Sequence, residues 1–170
     1  NLSSTAFQGI KVAQRIGINS GAALVGNFGS QRRFNYSVMS DAVNVASRLE
    51  GANKFYGTTI IASDSTVALA GDEFAWRELD TIRVKGREQQ LRIYELHGRT
   101  AGLAPDEREV LASYASGLAH WRAGALPQAA DCFAQHAPDD PPSHLFAGRV
   151  RAALEDGSAA WDPVRSLQEK

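Results

Sequence analysis

The run from Arg32 to Glu50, RRFNYSVMSDAVNVASRLE, changes its period at a single point, and that change commits the chain to a strand–turn–helix unit. Phe34 to Met39 is aromatic and β-prone. Ser40-Asp41 then starts a helix, with the serine as N-cap and the aspartate at the positive end of the helix dipole. From there Ala42, Val45, Ala46, Leu49, Ala52 and Asn53 recur at helical spacing, a stripe able to pack on a sheet. Gly57 suits the C-terminal stop. On the opposite face Asn44 and Arg48 stand four residues apart, hence one turn above the other. Arg48 offers a planar fork of donors and Asn44 a directed neutral one, a pairing that suits a phosphate or an oxyanion. The same pair on a solvated helix face is often inert, so spacing alone leaves both readings open.

Composition removes several function classes. The 170 residues fit one domain, or one and a piece; 44% are hydrophobic, 22% charged, and the formal charge is −1. That balance excludes a broad field for nucleic acid or anionic lipid, so any phosphate binding must come from local basic groups. One cysteine, Cys132, excludes an internal disulfide, agrees with a reducing compartment, and sits in an apolar helical pattern as a buried thiol. His97, His120, His136 and His144 are too scattered for a metal site. No apolar run is long enough to cross a bilayer, and there is no signal-peptide pattern. The chain starts without methionine, inside what reads as a helix, and is expected to be a piece of a longer protein with a natural C-terminus.

Residues 1–14 read as the end of a helix, followed by a strand at Arg15–Ile18, a turn at Gly21, and a second strand at Ala22–Gly26 pairing back on the first. Asn27–Arg33 reads as a polar excursion before the strand Phe34–Met39 and the helix Asp41–Tyr56. A short strand at Thr58–Ala62, a helix capped by Ser63, and three strands at Glu73–Leu79, Thr81–Lys85 and Gln90–Leu96 complete an α+β pattern. Beyond Gly98 the chain turns alanine-rich. Gly117, Gly124, Leu126, Ala129, Phe133 and Pro141 fall where a tetratricopeptide-type helix pair places small and packing residues. One such pair cannot bury its own face, so it should lean on the first half or on a protein partner. A simple capping helical hairpin fits the pattern equally. The expected division is 1–98 and 99–170.

The segment RIGINSGAALVGNFGSQRRFNYSVMSDAVNVASRLEGANKFYG resembles the second half of the class III nucleotide cyclase catalytic domain, and VKGREQQLRIYEL resembles its closing strands. The resemblance runs almost without gaps from about Arg15 to Leu96. It implies a cyclase-type, ferredoxin-like α/β sandwich, incomplete on its N-terminal side, with the small helical region appended. It implies a reaction in which the ribose 3′-hydroxyl attacks the α-phosphate and pyrophosphate leaves. Two metal ions, Mg or Mn, would serve that reaction.

By the same resemblance, Arg48 matches the family's transition-state arginine and Asn44 the asparagine that orients the ribose. Lys85, in Val84-Lys85-Gly86, matches a lysine on the triphosphate, and Arg32 an arginine reaching the phosphates from a partner subunit. Ser37 stands where the family reads the base. Serine departs from the aspartate or threonine of ATP users and from the small residue of GTP users, with adenine favoured over guanine. Ser40 departs from a common glycine, and Asp41 reads as helix start rather than metal ligand. Gly26-Asn27-Phe28-Gly29 falls in a region of dimer contact, with Phe28 and Phe34 as apolar anchors.

The family's metal aspartates, and the base-reading lysine of its adenylate cyclases, belong to an upstream half with no counterpart here. The leading expectation is therefore part of a cytoplasmic adenylate cyclase acting on ATP as a head-to-tail homodimer, its parent open to a membrane anchor upstream, with these 170 residues inactive alone and partly uncovered. A guanylate cyclase and a non-catalytic cyclase-like regulatory module are the alternatives.

Overall fold

The computed structural model describes residues 13–30, 33–84, 90–156 and 162–167. In chain order these form β1 (Ile16–Ile18), β2 (Leu24–Ser30), β3 (Arg33–Met39), α1 (Asp41–Tyr56), β4 (Ile60–Ser63), α2 (Asp64–Ala70), β5 (Phe74–Val84) and β6 (Gln90–Arg99). Then come α3 (Pro105–Arg122), α4 (Leu126–Ala134), α5 (Pro141–Asp156) and β7 (Arg165–Leu167). The architecture is α+β. A five-stranded sheet has the order β1-β4-β6-β5-β7, with β1 parallel to β4, β7 parallel to β5, and the inner pairs antiparallel.

The strand after Gly21 does not pair back on β1. Leu24–Ser30 pairs with β3 in a separate antiparallel ribbon, Leu24 opposite Met39 and Gly26 opposite Ser37. The polar excursion is therefore largely strand: Asn27 to Ser30 extend the ladder, because alternate residues on a two-stranded ribbon need no apolar face to stay paired. Leu24, Val25, Tyr36, Val38 and Met39 on this ribbon are exposed, Tyr36 at 76%. The expected helix at the N-terminus lies outside the described residues, as do the side chains of Phe28 and Phe34.

The two strands expected at 73–85 are one, β5, interrupted by a bulge. Glu78 faces Tyr94 and Asp80 faces Ile93, so Leu79 is the extra residue. Before the bulge Ala75, Arg77 and Leu79 are buried; after it Asp80 and Ile82 are. The insertion reverses the alternation without changing the buried face, which is why period-2 reasoning broke the strand there.

Over that face a single apolar cluster joins both halves of the chain. Val45, Leu49 and Tyr56 of α1 and Ile61, Leu79, Ile82 and Ile93 of the sheet meet Tyr114, Leu118, Trp121, Phe133, Phe146 and Val150 of the helices. The C-terminal region is three helices rather than a hairpin. Tyr114 packs edge-on against Phe133 and Phe146, with ring centroids 5.3 and 5.7 Å apart. Gly117 is required at the α3–α4 contact, where an added Cβ would lie 2.9 Å from the Phe133 ring. The helices lean on β5 directly, the buried Tyr114 hydroxyl donating to the Leu79 carbonyl at 2.9 Å. Behind them β7 closes the β5 edge, and the Trp121 indole N–H donates to the Pro163 carbonyl at 3.3 Å. Cys132 is half-buried and free, not fully buried.

Candidate functional site

The strand–helix junction forms as its residues dictate. Ser40 has extended backbone (φ −171°, ψ 166°) and its Oγ accepts the Val43 N–H at 3.2 Å; Asp41 opens the first turn. Gly57 ends the helix with φ 72°, its N–H donating to the Asn53 carbonyl. Between them Val45, Leu49, Ala52, Asn53 and Tyr56 are buried, leaving Asn44 exposed and Arg48 half-buried on the other side. Ser37 is exposed on β3, the strand that runs through Ser40 into this helix. Asn44, Arg48 and Ser37 are thus carried by one continuous strand–turn–helix unit. Arg32 and Lys85 lie outside the described residues; Lys85 follows Val84, the last residue of β5.

The helix is held to β1 by an unusually close contact. At Gly17 an added Cβ would fall 2.1 Å from the Ala46 carbonyl oxygen and 2.3 Å from the Glu50 nitrogen. Glycine is needed here for close backbone approach, not for its dihedral freedom. Asn53, read from the sequence as part of the apolar stripe, is instead a buried clamp. Its amide nitrogen donates to the Ile16 carbonyl at 3.0 Å and to Leu49 at 3.1 Å, while its oxygen accepts the Thr58 hydroxyl at 2.8 Å. An isolated asparagine at an otherwise apolar helical position, followed by threonine past the glycine stop, was the available signal.

At the N-terminal end of α1, Asn19 donates to the Ala42 carbonyl at 3.0 Å and Ser65 donates to the Ser20 carbonyl at 2.8 Å. These residues line a cavity of about 440 Å³ together with Asp41, Asp64 and Gln90. The sequence reads the N-S-G stretch as a strand end and turn; here it also ties β1 to the starts of α1 and α2.

The charged groups that sequence reasoning missed altogether are buried under the helices. Arg77 is 4% exposed, makes an ion pair with Glu95 across the β5–β6 ladder, and reaches Asp140 at 2.8 Å. Burial disfavours its charge, but Glu95 and Asp140 more than offset this and hold the guanidinium above its ordinary pKa. Asp140 also accepts the Ser143 N–H at 3.0 Å at the start of α5. Asp80, 1% exposed, accepts from the Tyr56 hydroxyl and from Arg149, each at 2.7 Å. Burial first, and then the neighbouring Asp80 carboxylate, push Tyr56 well above the usual phenol range. Among the described residues no group of three or more histidine, cysteine, aspartate or glutamate side chains could hold a metal ion, so these residues do not fit a two-metal centre. No described helix is long and apolar enough to cross a membrane.

Comparison with known proteins adds a frame to this geometry. The family model of the adenylate and guanylate cyclase catalytic domain matches residues 2–98. Adenylate cyclase 1 of Rhizobium meliloti (strain 1021) is 50% identical over 84 residues, 49% of this chain and 13% of that protein. The terminal-differentiation specific adenylate cyclase of Dictyostelium discoideum is 28% identical over 155 residues, 87% of this chain and 7% of that protein. The chain thus spans a small part of these relatives' length. Among solved structures, the adenylyl cyclase CyaB from P. aeruginosa is 35% identical, with a TM-score of 0.47 over 57% of this chain and 50% of that one.

Proposed function

The chain belongs to the adenylate and guanylate cyclase catalytic domain family, and from that premise we propose that it forms the substrate-orienting half of an adenylate cyclase. The parent protein would convert ATP to 3′,5′-cyclic AMP and pyrophosphate for intracellular signalling. The observation that carries the reading is the pair Asn44 and Arg48 on the outward face of α1, supported below by the buried Val45, Leu49, Ala52, Asn53 and Tyr56 of the same helix. A rigid platform holding a guanidinium fork and an amide is what charge development on a phosphate requires, since catalysis of phosphoryl transfer is positioning and electrostatic stabilisation.

In this reading Arg48 donates to the α-phosphate as its charge builds, and Asn44 orients the ribose so that the 3′-hydroxyl lies in line. Ser37 takes the base edge. Lys85 and Arg32 bind the phosphate tail, Arg32 from the partner subunit. The family uses divalent metal ions; Mg or Mn is proposed for this protein, on ligands outside the described residues. The working unit is proposed to be a cytoplasmic homodimer, with residues 1–98 as the catalytic half and 99–170 as a helical extension offering a surface to a protein partner. The isolated chain is proposed to be inactive, so a purified sample that cyclised ATP with Mg or Mn would contradict this assignment of labour.

The test is cyclic-nucleotide formation from ATP and from GTP by the full-length protein, beside its Arg48→Ala variant. Loss of one preorganised donor at the developing charge lowers kcat by about 100- to 1000-fold while the fold survives. Absence of turnover in the folded, unmutated full-length protein would refute the enzymatic reading. Preference for GTP would overturn the base assignment at Ser37.

A further inference from the structure

Asp80 is nearly inaccessible and joins elements from both halves of the chain. Its Oδ2 accepts the Tyr56 hydroxyl from the last turn of α1 and the Arg149 guanidinium from α5, each at 2.7 Å. Its Oδ1 accepts the Thr81 N–H at 2.8 Å, which fixes the carboxylate to the strand just past the β5 bulge. Arg149 is itself held between rings, 5.0 Å from the Trp121 centroid and 4.4 Å from that of Phe146. On the neighbouring residue Arg165 of β7 covers the Phe55 ring at 3.7 Å. The end of α1 is therefore gripped by β5, by α5 and by β7, all on the side away from β1.

An apolar filling of this site would serve stability as well or better, because a buried ion pair often loses to well-packed hydrophobic residues. What a directed hydrogen bond adds is angle. The helix already cannot approach β1, because Gly17 is in backbone contact with Ala46 and Glu50. On the β1 side the Asn53 amide already ties α1 to Ile16, while Val45 and Leu49 add apolar contacts that do not fix its roll. The 2.7 Å hydrogen bond at Tyr56 is a second directed tie, to β5, and two ties on opposite sides resist rolling where one does not. Because α1 is one unbroken helix of 16 residues, a roll at Tyr56 is passed to Arg48 about two turns away and to Asn44 about three.

We propose that Tyr56, Asp80 and Arg149 are positioning residues through which the C-terminal helices set the rotation of α1, and with it the aim of Asn44 and Arg48. This rests on the functional reading given above. It assigns the helical extension a role inside the catalytic unit. Its relay is one hydroxyl, one carboxylate and one guanidinium.

Tyr56→Phe cuts the tether at its α1 end while keeping the ring. In the full-length protein, steady-state kinetics should show kcat for ATP lowered about tenfold with KM within about twofold, since small errors of aim act on the transition state rather than on binding. Arg149→Met, which cuts the relay at its other end, should give the same signature and serves as the second variant if the first does not fold. The decisive readout is the cycle with Arg48→Ala. A positioning role acting through Arg48 makes Tyr56→Phe cost less than twofold in the Arg48→Ala background. Wild-type kcat in a folded relay variant, or an equal loss in both backgrounds, would overturn the proposal. If Arg48→Ala itself leaves turnover intact, the functional reading fails instead, a result the single variants distinguish.

Discussion

Substituting Gly17 by alanine probes the contact on which the whole candidate site rests. The new Cβ would lie 2.1 Å from the Ala46 oxygen and 2.3 Å from the Glu50 nitrogen, both backbone atoms of α1. Neither can rotate away, so the helix must retreat from β1 by roughly 1 Å to restore van der Waals contact. Retreat loosens the Val45 and Leu49 packing against the sheet and stretches the Asn53 bond to Ile16. Overpacking of this kind costs about 1–3 kcal/mol, and the strained hydrogen bond adds up to about 1 kcal/mol. Alanine's lower unfolded-state entropy returns at most about 1 kcal/mol. The expected net loss is about 1–3 kcal/mol, read as a lower urea midpoint with an unchanged slope in equilibrium unfolding. A Gly17→Ala protein within about 0.5 kcal/mol of wild type would mean that α1 does not sit on β1 as described, and the platform argument for Asn44 and Arg48 would fall with it.

Two further outcomes follow from the buried polar groups. Asn53→Ala removes the clamp on Ile16 and leaves the Thr58 hydroxyl and a strand carbonyl without their partner, for a loss of about 2–4 kcal/mol in urea unfolding; a change below about 1 kcal/mol would contradict the clamp. Tyr56 and Tyr114 both have pKa values raised well above 10.0, burial being the main cause in each. A raised folded-state pKa contributes stability that is complete below the unfolded value and is lost as pH rises beyond it. Stability should therefore fall above about pH 10, each tyrosine contributing a slope of about 1.4 kcal/mol per pH unit. Thermal or urea unfolding across pH 8–11 would show this, and Tyr56→Phe should flatten the decline; an identical slope in the variant would refute the assignment.

How far the sequence announced this structure depends on the range of the forces involved. The helix Asp41–Tyr56 was legible to the residue, with its Ser40 cap and Gly57 stop, because capping and helical spacing are local. The bulge at Leu79 was not, because nothing local marks an inserted residue; it shows only as a broken alternation, which reads equally well as a turn. The partner of β2 was missed for a related reason: a short apolar run after a glycine fits either neighbour, and the pairing with β3 is settled over a distance the pattern does not encode.

The buried charges were the least legible, since Arg77, Asp80 and Arg149 resemble solvated residues in any single stretch. Arg77 and Asp80 are buried, and Arg149 half-buried, only because a partner from a distant part of the chain meets each: Asp140 for Arg77, 63 residues on, and Arg149 for Asp80, 69 residues on. That long reach bears on the extension itself. A helical unit that merely capped the sheet would need apolar contacts alone, and the Tyr114, Phe133 and Phe146 cluster supplies them. Two arginines engaged by carboxylates across the same seam add little net stability. They do restrict the angle at which α5 meets β5 and α1, because charge-assisted bonds tolerate little misalignment. A seam built for direction as well as adhesion joins the helix bearing Asn44 and Arg48 to the C-terminal unit, so changes in that unit should register first in turnover and only later in unfolding.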